Sequence, residues 1–423
     1  MTFSAPKGTK DILPGEVAGW QKAERVFSDV CSEYGFSEIR IPTFEQTEVF
    51  ARGVGGSSDV VRKEMYTFED KGGRSMTLRP EGTAGVVRSY IENGMSSMPA
   101  PVRLYYMINA FRYEKMQKGR YREFHQFGVE AFGAEGPEMD AEIISLLVMF
   151  FKRMGIKETR LSINSIGCPE CRTVYYEELR KYFSDKLSDM CVDCKERMTQ
   201  NPMRILDCKE ARCKVYTADA PRQLQYLCSK CEEHFEGLKC ALDDLGISYT
   251  VDSGIVRGLD YYTRTVFEFV SDYVGTQGTI CGGGRYDRLV EMLDGPAVPG
   301  VGFAMGVERF LMEMQSQGIE LQEERSVKIY IANLSDETRA SCRKLAYTMR
   351  CGGIGCETDL VGRSFRAQMK YANKAGIPFV AVIGPDEVAG GTFSLKRMSD
   401  GAIAQFSIDD GIADIKKHIT DNI

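Results

Sequence analysis

Two runs of the chain, Val102–Glu114 (VRLYYMINAFRYE) and Phe124–Phe132 (FHQFGVEAF), decide how the rest is read. Both are β-rich, and the polar, basic stretch between them, KMQKGRYR, joins them as a hairpin with a long loop. Side chains alternate across a strand. Ala110, Arg112 and Glu114 therefore share one side of the first run, and Gln126, Gly128 and Glu130 share one side of the second. A sheet face carrying arginine and carboxylate is not a packing face.

Outward from this hairpin the chain mixes helices and strands. Pro137–Arg153 spaces Met139, Ile143, Ile144, Leu147, Val148 and Phe151 as a helix that buries one stripe. Tyr261–Val270 (YYTRTVFEFV) predicts another strand, and Gly300–Leu311 (GVGFAMGVERFL) a short buried strand passing through Gly306 into a helix. From Gly167 to about Leu245 the composition changes, with cysteine pairs and the breaker Asn201-Pro202, so this part reads as an insertion. A Gln/Glu-rich linker, Gln315–Ser326, precedes a regular alternation. VKIYIANL, Cys356–Leu360 and FVAVIG predict strands, with helices over Glu337–Met349 and Phe365–Asn373, an order that implies a parallel or mixed sheet under covering helices.

A length of 423 residues leaves room for two or three domains, and 43% hydrophobic with 27% charged residues argues against disorder and against a disulfide miniprotein. The longest apolar runs, such as Ile143–Phe151, fall far short of the ~20 residues of a membrane span. Met1–Gly8 has no apolar signal core, so the expected location is cytoplasmic and the 14 cysteines are read as thiols or metal ligands. The net charge of −6 does not by itself suggest a nucleic-acid partner.

Only three histidines are present, His125, His234 and His418, which disfavours His-rich metal sites and most His-based triads. No GxxxxGK[ST] phosphate loop occurs, and Gly300-x-Gly302-x-x-x-Gly306 lacks the dinucleotide-binding spacing. Nucleotide chemistry would then rest on Arg112, Arg257 and Arg309, placed at sheet and helix ends. Arg309 falls in the first turn of a predicted helix, where a cation opposes the dipole at a cost of ~0.3–1 kcal/mol unless an anion shares the site. A phosphate or a carboxylate such as Glu308 would answer that.

Four separated stretches resemble the histidyl-tRNA synthetases, a family of class II aminoacyl-tRNA synthetases. They are Arg79-Pro-Glu-Gly-Thr83, Phe111-Arg-Tyr-Glu114 with the loop through Glu130, Arg257-Gly-Leu-Asp-Tyr-Tyr262 followed by Thr-Val-Phe-Glu268, and Gly302-Phe-Ala-Met-Gly-Val-Glu-Arg309. Lys7-Gly-Thr-Lys-Asp11 and Gly282-Gly-Gly-Arg-Tyr-Asp287 agree with them. The resemblance implies an α+β fold. A class II antiparallel sheet core with helices would occupy residues 1–166 and 248–320, interrupted by the Cys-rich insertion at 167–247. A C-terminal α/β anticodon-binding domain would occupy 326–423.

It implies a histidine–tRNA ligase that makes histidyl-adenylate and pyrophosphate from L-histidine and ATP, then passes histidine to the 3′ end of tRNA(His). By resemblance Arg112 holds the α-phosphate, Arg309 the terminal phosphates, and Arg257 the charge developing between carboxylate and α-phosphate. Glu114 places the adenine or ribose end, and Mg²⁺ accompanies ATP. Glu130 and Tyr262 resemble the partners of the imidazole ring. Glu81, Thr83 and Gln126 resemble those of the amino and carboxylate ends, and Tyr261 lines the pocket. An internal salt bridge is the other reading of Glu130.

The loop bearing Lys115, Gln117, Lys118, Arg120 and Arg122 resembles the one that approaches the tRNA acceptor stem; a solvated hairpin tip is the alternative. Arg363, Arg366, Lys370 and Lys374 recur at helical spacing. Such a face is often plain surface, but Asp359-Leu-Val-Gly-Arg363 and Gly391-Thr-Phe-Ser-Leu-Lys396 resemble the family's anticodon-binding domain, which favours tRNA contact. The region around Pro42 resembles the dimer-forming motif, so a homodimer is expected.

Nine cysteines fall between 168 and 240, including three CxxC pairs. On spacing alone this is a zinc-type signal, and the simplest site joins Cys168, Cys171, Cys191 and Cys194; buried free thiols are the alternative. Zinc is not a general requirement of the family that the chain resembles. Two rivals share the core: the synthetase-like regulatory subunit of ATP phosphoribosyltransferase, and a class II synthetase for another amino acid.

Overall fold

The two deciding runs pair antiparallel as Val102–Phe111 and Glu123–Phe132, with Val102 opposite Phe132 and Phe111 opposite Glu123. The structure, a computed structural model, describes residues 3–56, 58–271, 278–319, 326–407 and 412–422. It divides into two units, Met1–Gln322 and Glu323–Ile423.

In the first unit the hairpin sits inside an eight-stranded sheet. Its order is Ser37–Glu38, Val102–Phe111, Glu123–Phe132, Gly300–Gly306, Thr279–Arg285, Thr263–Val270, Arg160–Ser165 and Thr250–Val251. The central pairings are antiparallel, and the two short edge strands pair parallel. Alternation sorts this sheet into two unlike faces. On one face the cross-strand rows Tyr105–Val129–Phe303 and Met107–Phe127–Met305–Cys281–Phe269–Leu161 are apolar throughout.

That face is buried under the helices Pro14–Glu33, Glu138–Arg153, Ser229–Asp244 and Val307–Ser316. Phe27 shows how tightly: it stacks on Phe127 at 4.8 Å between ring centroids and meets Phe150 edge-on at 5.5 Å. Each such ring contributes about 1.5–3 kcal/mol by leaving water. One charged cluster crosses this core. Arg285, fully buried, makes ion pairs with Asp140 at 2.7 Å and Asp287 at 3.1 Å, and the other Asp140 oxygen lies 2.8 Å from His234 Nε2. Sheet, helix Glu138–Arg153 and helix Ser229–Asp244 are thereby tied at one point.

A small sheet, Phe44–Gln46, Ser75–Leu78 and Tyr66–Glu69, leads into Arg79. The Arg79 guanidinium donates to Ile41 O (2.7 Å), Pro42 O (3.0 Å), Asn109 O (2.7 Å) and Asn109 Oδ1 (2.6 Å). It therefore staples the Pro42 stretch to the large sheet, and the chain emerges at Glu81 over the second face.

The second unit carries a five-stranded mixed sheet in the order Gly355–Thr358, Val327–Asn333, Phe379–Ile383, Thr392–Arg397 and Ile403–Ser407. Its first three strands are parallel, as the alternating pattern requires, and the last two extend it antiparallel. The anticipated helix Phe365–Asn373 forms as Phe365–Lys374.

Candidate active site

The second face of the large sheet is lined by small residues. Its rows are Leu104–Glu130–Gly302–Gly284–Val266 and Tyr106–Gly128–Ala304–Gly282–Glu268. A methyl at Gly128 would run into the Tyr106 ring, one at Gly302 into the Glu130 carboxylate, and one at Gly282 would come within 2.5 Å of Arg257 Nη1. Missing side chains here make a trough in which long polar side chains lie across the sheet.

At one end of the trough stands Glu130, fully buried on the strand Glu123–Phe132. Its Oε1 accepts from Thr83 Oγ1 (2.7 Å) and Tyr106 OH (3.2 Å), and its Oε2 from Tyr286 OH. Burial pushes this carboxyl up to about 8, against the pull of those three hydroxyl donors and with some help from Glu81. Among the described residues no cation pairs with it, so the internal salt bridge anticipated as its alternative does not form there; hydroxyls surround it. Glu81 accepts from the backbone N–H groups of Thr83 (2.7 Å) and Ala84 (2.9 Å) at the start of helix Thr83–Glu92, and burial raises it too. Tyr261 and Tyr262 are buried with ring centroids 4.7 Å apart, and Tyr261 meets Tyr286 at 5.7 Å. Gln126, four residues before Glu130 on the same face, is buried with an Oε1 that has no hydrogen-bond partner among the described residues.

The cations gather at the other end. Arg257 pairs with Glu268 and lies over the Tyr262 ring at 5.5 Å. Burial opposes its charge, but Tyr262 and Glu268 outweigh burial and hold the guanidinium protonated. Arg112 does not lie on the strand as period two had placed it. The strand stops at Phe111: Arg112 N–H still reaches its register partner Arg122 O (2.9 Å), but Arg122 N–H turns to Gly8 O (2.7 Å) and Tyr113 N–H to Glu64 O (2.7 Å). Arg112 Nε then donates to Pro80 O at 2.8 Å, and Nη1 lies 3.8 Å from Glu114. Arg309 sits in the first turn of helix Val307–Ser316. Burial lowers its pKa, Arg120 lowers it further, and Glu114 and Glu268 act in the opposite sense. Glu308, the carboxylate beside it in sequence, is taken by His125, whose backbone N–H and ring Nδ1 both lie 2.9 Å from its Oε1.

In the loop after Glu114, Lys115, Gln117 and Lys118 are exposed around a turn at Gly119, where φ is +74°. Arg120 turns inward to Glu114 at 3.2 Å, and Arg122 lies 3.6 Å over the Tyr113 ring. In the second unit Arg366, Lys370 and Lys374 are exposed on one helix, but Arg363 is not on it. Ser364 caps that helix in extended conformation, leaving Arg363 in the preceding turn, held by Asp359 at 3.0 Å and stacked over Tyr371 at 4.5 Å.

The four-cysteine grouping expected from the first two pairs is not formed. Cys168 and Cys171 meet Cys228 and Cys231, whereas Cys191 and Cys194 meet Cys208 and Cys213. The two leading pairs open different helices, Pro169–Phe183 and Val192–Gln200, and each converges with cysteines that arrive later in the chain.

Residues 8–310 match the family described as Histidyl-tRNA synthetase, and residues 328–418 match the one described as Anticodon binding domain. The chain belongs to the histidyl-tRNA synthetase family. It is 56% identical over 416 residues to the histidine–tRNA ligase of Acetivibrio thermocellus, covering 98% of this chain and 100% of that one. The identity to the histidine–tRNA ligase of Caldicellulosiruptor saccharolyticus is 52% over 398 residues, or 94% and 95% of the two chains. The crystal structure of the apo S. aureus histidyl-tRNA synthetase superposes with a TM-score of 0.84 at 40% identity, covering 98% of this chain and 100% of that one. Like its family, this synthetase is an ATP-dependent ligase that joins histidine to tRNA. Among the described residues no helix is long and apolar enough to cross a membrane.

Proposed function

We propose that L-histidine and ATP meet in the glycine-lined trough and react there without a protein nucleophile. The carboxylate of histidine is itself the attacking group, so the protein's work is to position it and to supply positive charge. Glu130 and Tyr262 take the imidazole nitrogens; a carboxylate has about four acceptor positions, and three donors reach Glu130, which leaves capacity for a ring N–H. Gln126, with Glu81 and Thr83, takes the amino and carboxylate ends, and Tyr261 closes the side. Arg112 holds the α-phosphate, Arg309 the terminal phosphates, and Arg257 the charge that builds between the carboxylate and the α-phosphorus. Glu114 places the nucleoside end. The carboxylates of Glu114 and Glu268, both acting on Arg309, are oxygen donors of the kind a hard cation takes; Mg²⁺ bound with ATP would neutralise phosphate charge at that end.

In the second step the histidyl group passes to the 3′ end of tRNA(His). Lys115, Gln117 and Lys118 would meet the acceptor stem, with Arg120 and Arg122 bracing that loop. Arg366 and its helix, with Arg363 at the preceding turn, would meet the anticodon. The working form is a homodimer in the cytoplasm.

The observation that carries this reading is the orphaned Gln126 Oε1, a buried acceptor on the strand face that also carries Gly128 and Glu130. An α-ammonium is the donor such an acceptor needs. The test is ATP–pyrophosphate exchange with each of the twenty amino acids. Histidine alone should support it; exchange driven by another amino acid, or by none, overturns the reading.

A further inference from the structure

The insertion carries chemistry that the trough does not use. Eight of its cysteines form two groups, and in each group the four Sγ atoms all lie within 4.8 Å of one another. The spacings that define them are 3.6 Å for Cys168–Cys171, 4.0 Å for Cys168–Cys228 and 3.8 Å for Cys191–Cys208. A disulfide needs sulfurs about 2.05 Å apart, so these are not crosslinked pairs. Thiolates placed tetrahedrally around one Zn²⁺ at about 2.3 Å stand about 3.8 Å from each other. The spacings straddle that edge. The centre of such a tetrahedron is a metal–thiolate bond length from every sulfur and too close for water or carbon. An iron–sulfur cluster fits poorly, because its own core would hold the four cysteines farther apart.

Backbone amides support charged sulfur. Cys228 N–H donates to Cys171 Sγ (3.1 Å), Cys191 N–H to Cys213 Sγ (3.3 Å) and Cys194 N–H to Cys191 Sγ (3.4 Å). Such bonds stabilise thiolate over thiol, as a ligand set requires. Four soft ligands in tetrahedral array select zinc among the abundant divalent ions.

We propose that the insertion holds two mononuclear tetrathiolate zinc sites, one of Cys168, Cys171, Cys228 and Cys231 and one of Cys191, Cys194, Cys208 and Cys213. They do different structural work. The first joins the start of helix Pro169–Phe183 to the start of helix Ser229–Asp244, tying the outgoing and returning arms of the insertion beside the sheet. The second folds the segment between them. That segment sets Asn201 Nδ2 on Asp260 Oδ1 at 3.0 Å, within the stretch that bears Arg257 and Tyr262, and its Glu196 accepts from Arg62 at 2.9 Å.

The test is the zinc content of the full-length protein purified without chelator and dialysed, independent of any activity. Two zinc per chain is expected, one in Cys208→Ser, one in Cys228→Ser, and none in the double variant. Wild-type protein with one zinc or none overturns the proposal, as does a double variant that retains zinc, since that metal is held elsewhere. A variant that does not fold leaves the wild-type measurement standing. Titration of its thiols with a mercurial, with zinc release followed by a chromogenic chelator, should liberate two equivalents, and fewer overturns the assignment. Cobalt exchanged into both sites should give the charge-transfer and d–d bands of tetrahedral thiolate, and octahedral bands count against it.

Discussion

Arg257→Ala removes the guanidinium that lies across Gly282 and pairs with Glu268. Two losses are superimposed in that change. If the guanidinium meets charge developing between carboxylate and α-phosphorus, its removal costs about 2.7–4 kcal/mol, a factor of roughly 10²–10³ in kcat. The same deletion strands Glu268, whose side chain is only 18% exposed, and a buried charge that loses its partner costs about 3–5 kcal/mol of folding stability. Glu268→Gln separates the two. It removes the stranded charge while its amide oxygen can still accept from Thr279 Oγ1, now 2.8 Å from Glu268 Oε2. The double variant Arg257→Ala/Glu268→Gln is thus relieved of the charge but not of the missing transition-state partner. In histidine-dependent ATP–pyrophosphate exchange the single variant should fall by at least ~10²-fold in kcat, and the double should stay within about tenfold of it. Gly282→Ala gives an independent route to the same loss, since its methyl would lie within 2.5 Å of Arg257 Nη1. A single variant with near-wild-type exchange, or a double variant restored almost to wild type, would show that Arg257 serves only to neutralise Glu268.

Glu130 leaves a signature in stability. With its carboxyl raised from 4.5 to about 8 in the folded chain, folding binds a proton between those values, so its contribution is full below 4.5 and is lost as pH rises through about 8. Glu130→Gln removes that titration. Urea unfolding followed by Trp20, the single tryptophan, should lose less stability between pH ~5 and ~9 in the variant than in wild type, and parallel slopes would refute the shift. Arg285→Met strips Asp140 of its buried partner and should cost about 3–5 kcal/mol by the same fluorescence, whereas an unchanged midpoint would mean that the Asp140–His234 contact suffices. Removing both Lys115 and Lys118 by alanine substitution should leave pyrophosphate exchange intact, weaken tRNA binding, and flatten its log–log salt dependence by up to about two units; an unchanged slope would return the loop to plain solvated surface.

The sheet was legible because alternation and register are one constraint. Once Gln126, Gly128 and Glu130 share a face, a hydrogen-bonded neighbour must present Gly302, Ala304 and Gly306 on that face, and the apolar rows must fall on the other. Period two runs on past the end of a ladder, and this is why the strand reading overran to Arg112 and Glu114: Arg112 N–H still meets its register partner Arg122 O, but Arg122 N–H goes to Gly8 O and Tyr113 N–H to Glu64 O, partners no local pattern announces. Arg363 in the second unit failed for a related reason, since helical spacing is blind to Ser364, which caps the helix one residue after it. Tyr106 and Tyr286 were missed although each lies within a run that was read. Their role depends on meeting Glu130 across 24 and 156 residues of chain.

The cysteines sharpen the distinction between spacing and partnership. CxxC spacing is a local property, set by one turn that brings two sulfurs to one side. Which pair meets which is decided by where the helices Pro169–Phe183, Val192–Gln200 and Ser229–Asp244 begin in space, and that depends on the packing of Tyr175, Leu179 and Phe183 into the apolar cluster that also takes in Met203 and Ile205. Joining the two leading pairs would have bound the ends of one helix–turn unit to each other and left Cys228 and Cys231 without a role. The observed grouping closes the insertion at its base and folds its middle separately, so the Arg257–Tyr262 stretch is held through Asn201 by a segment with its own local constraint.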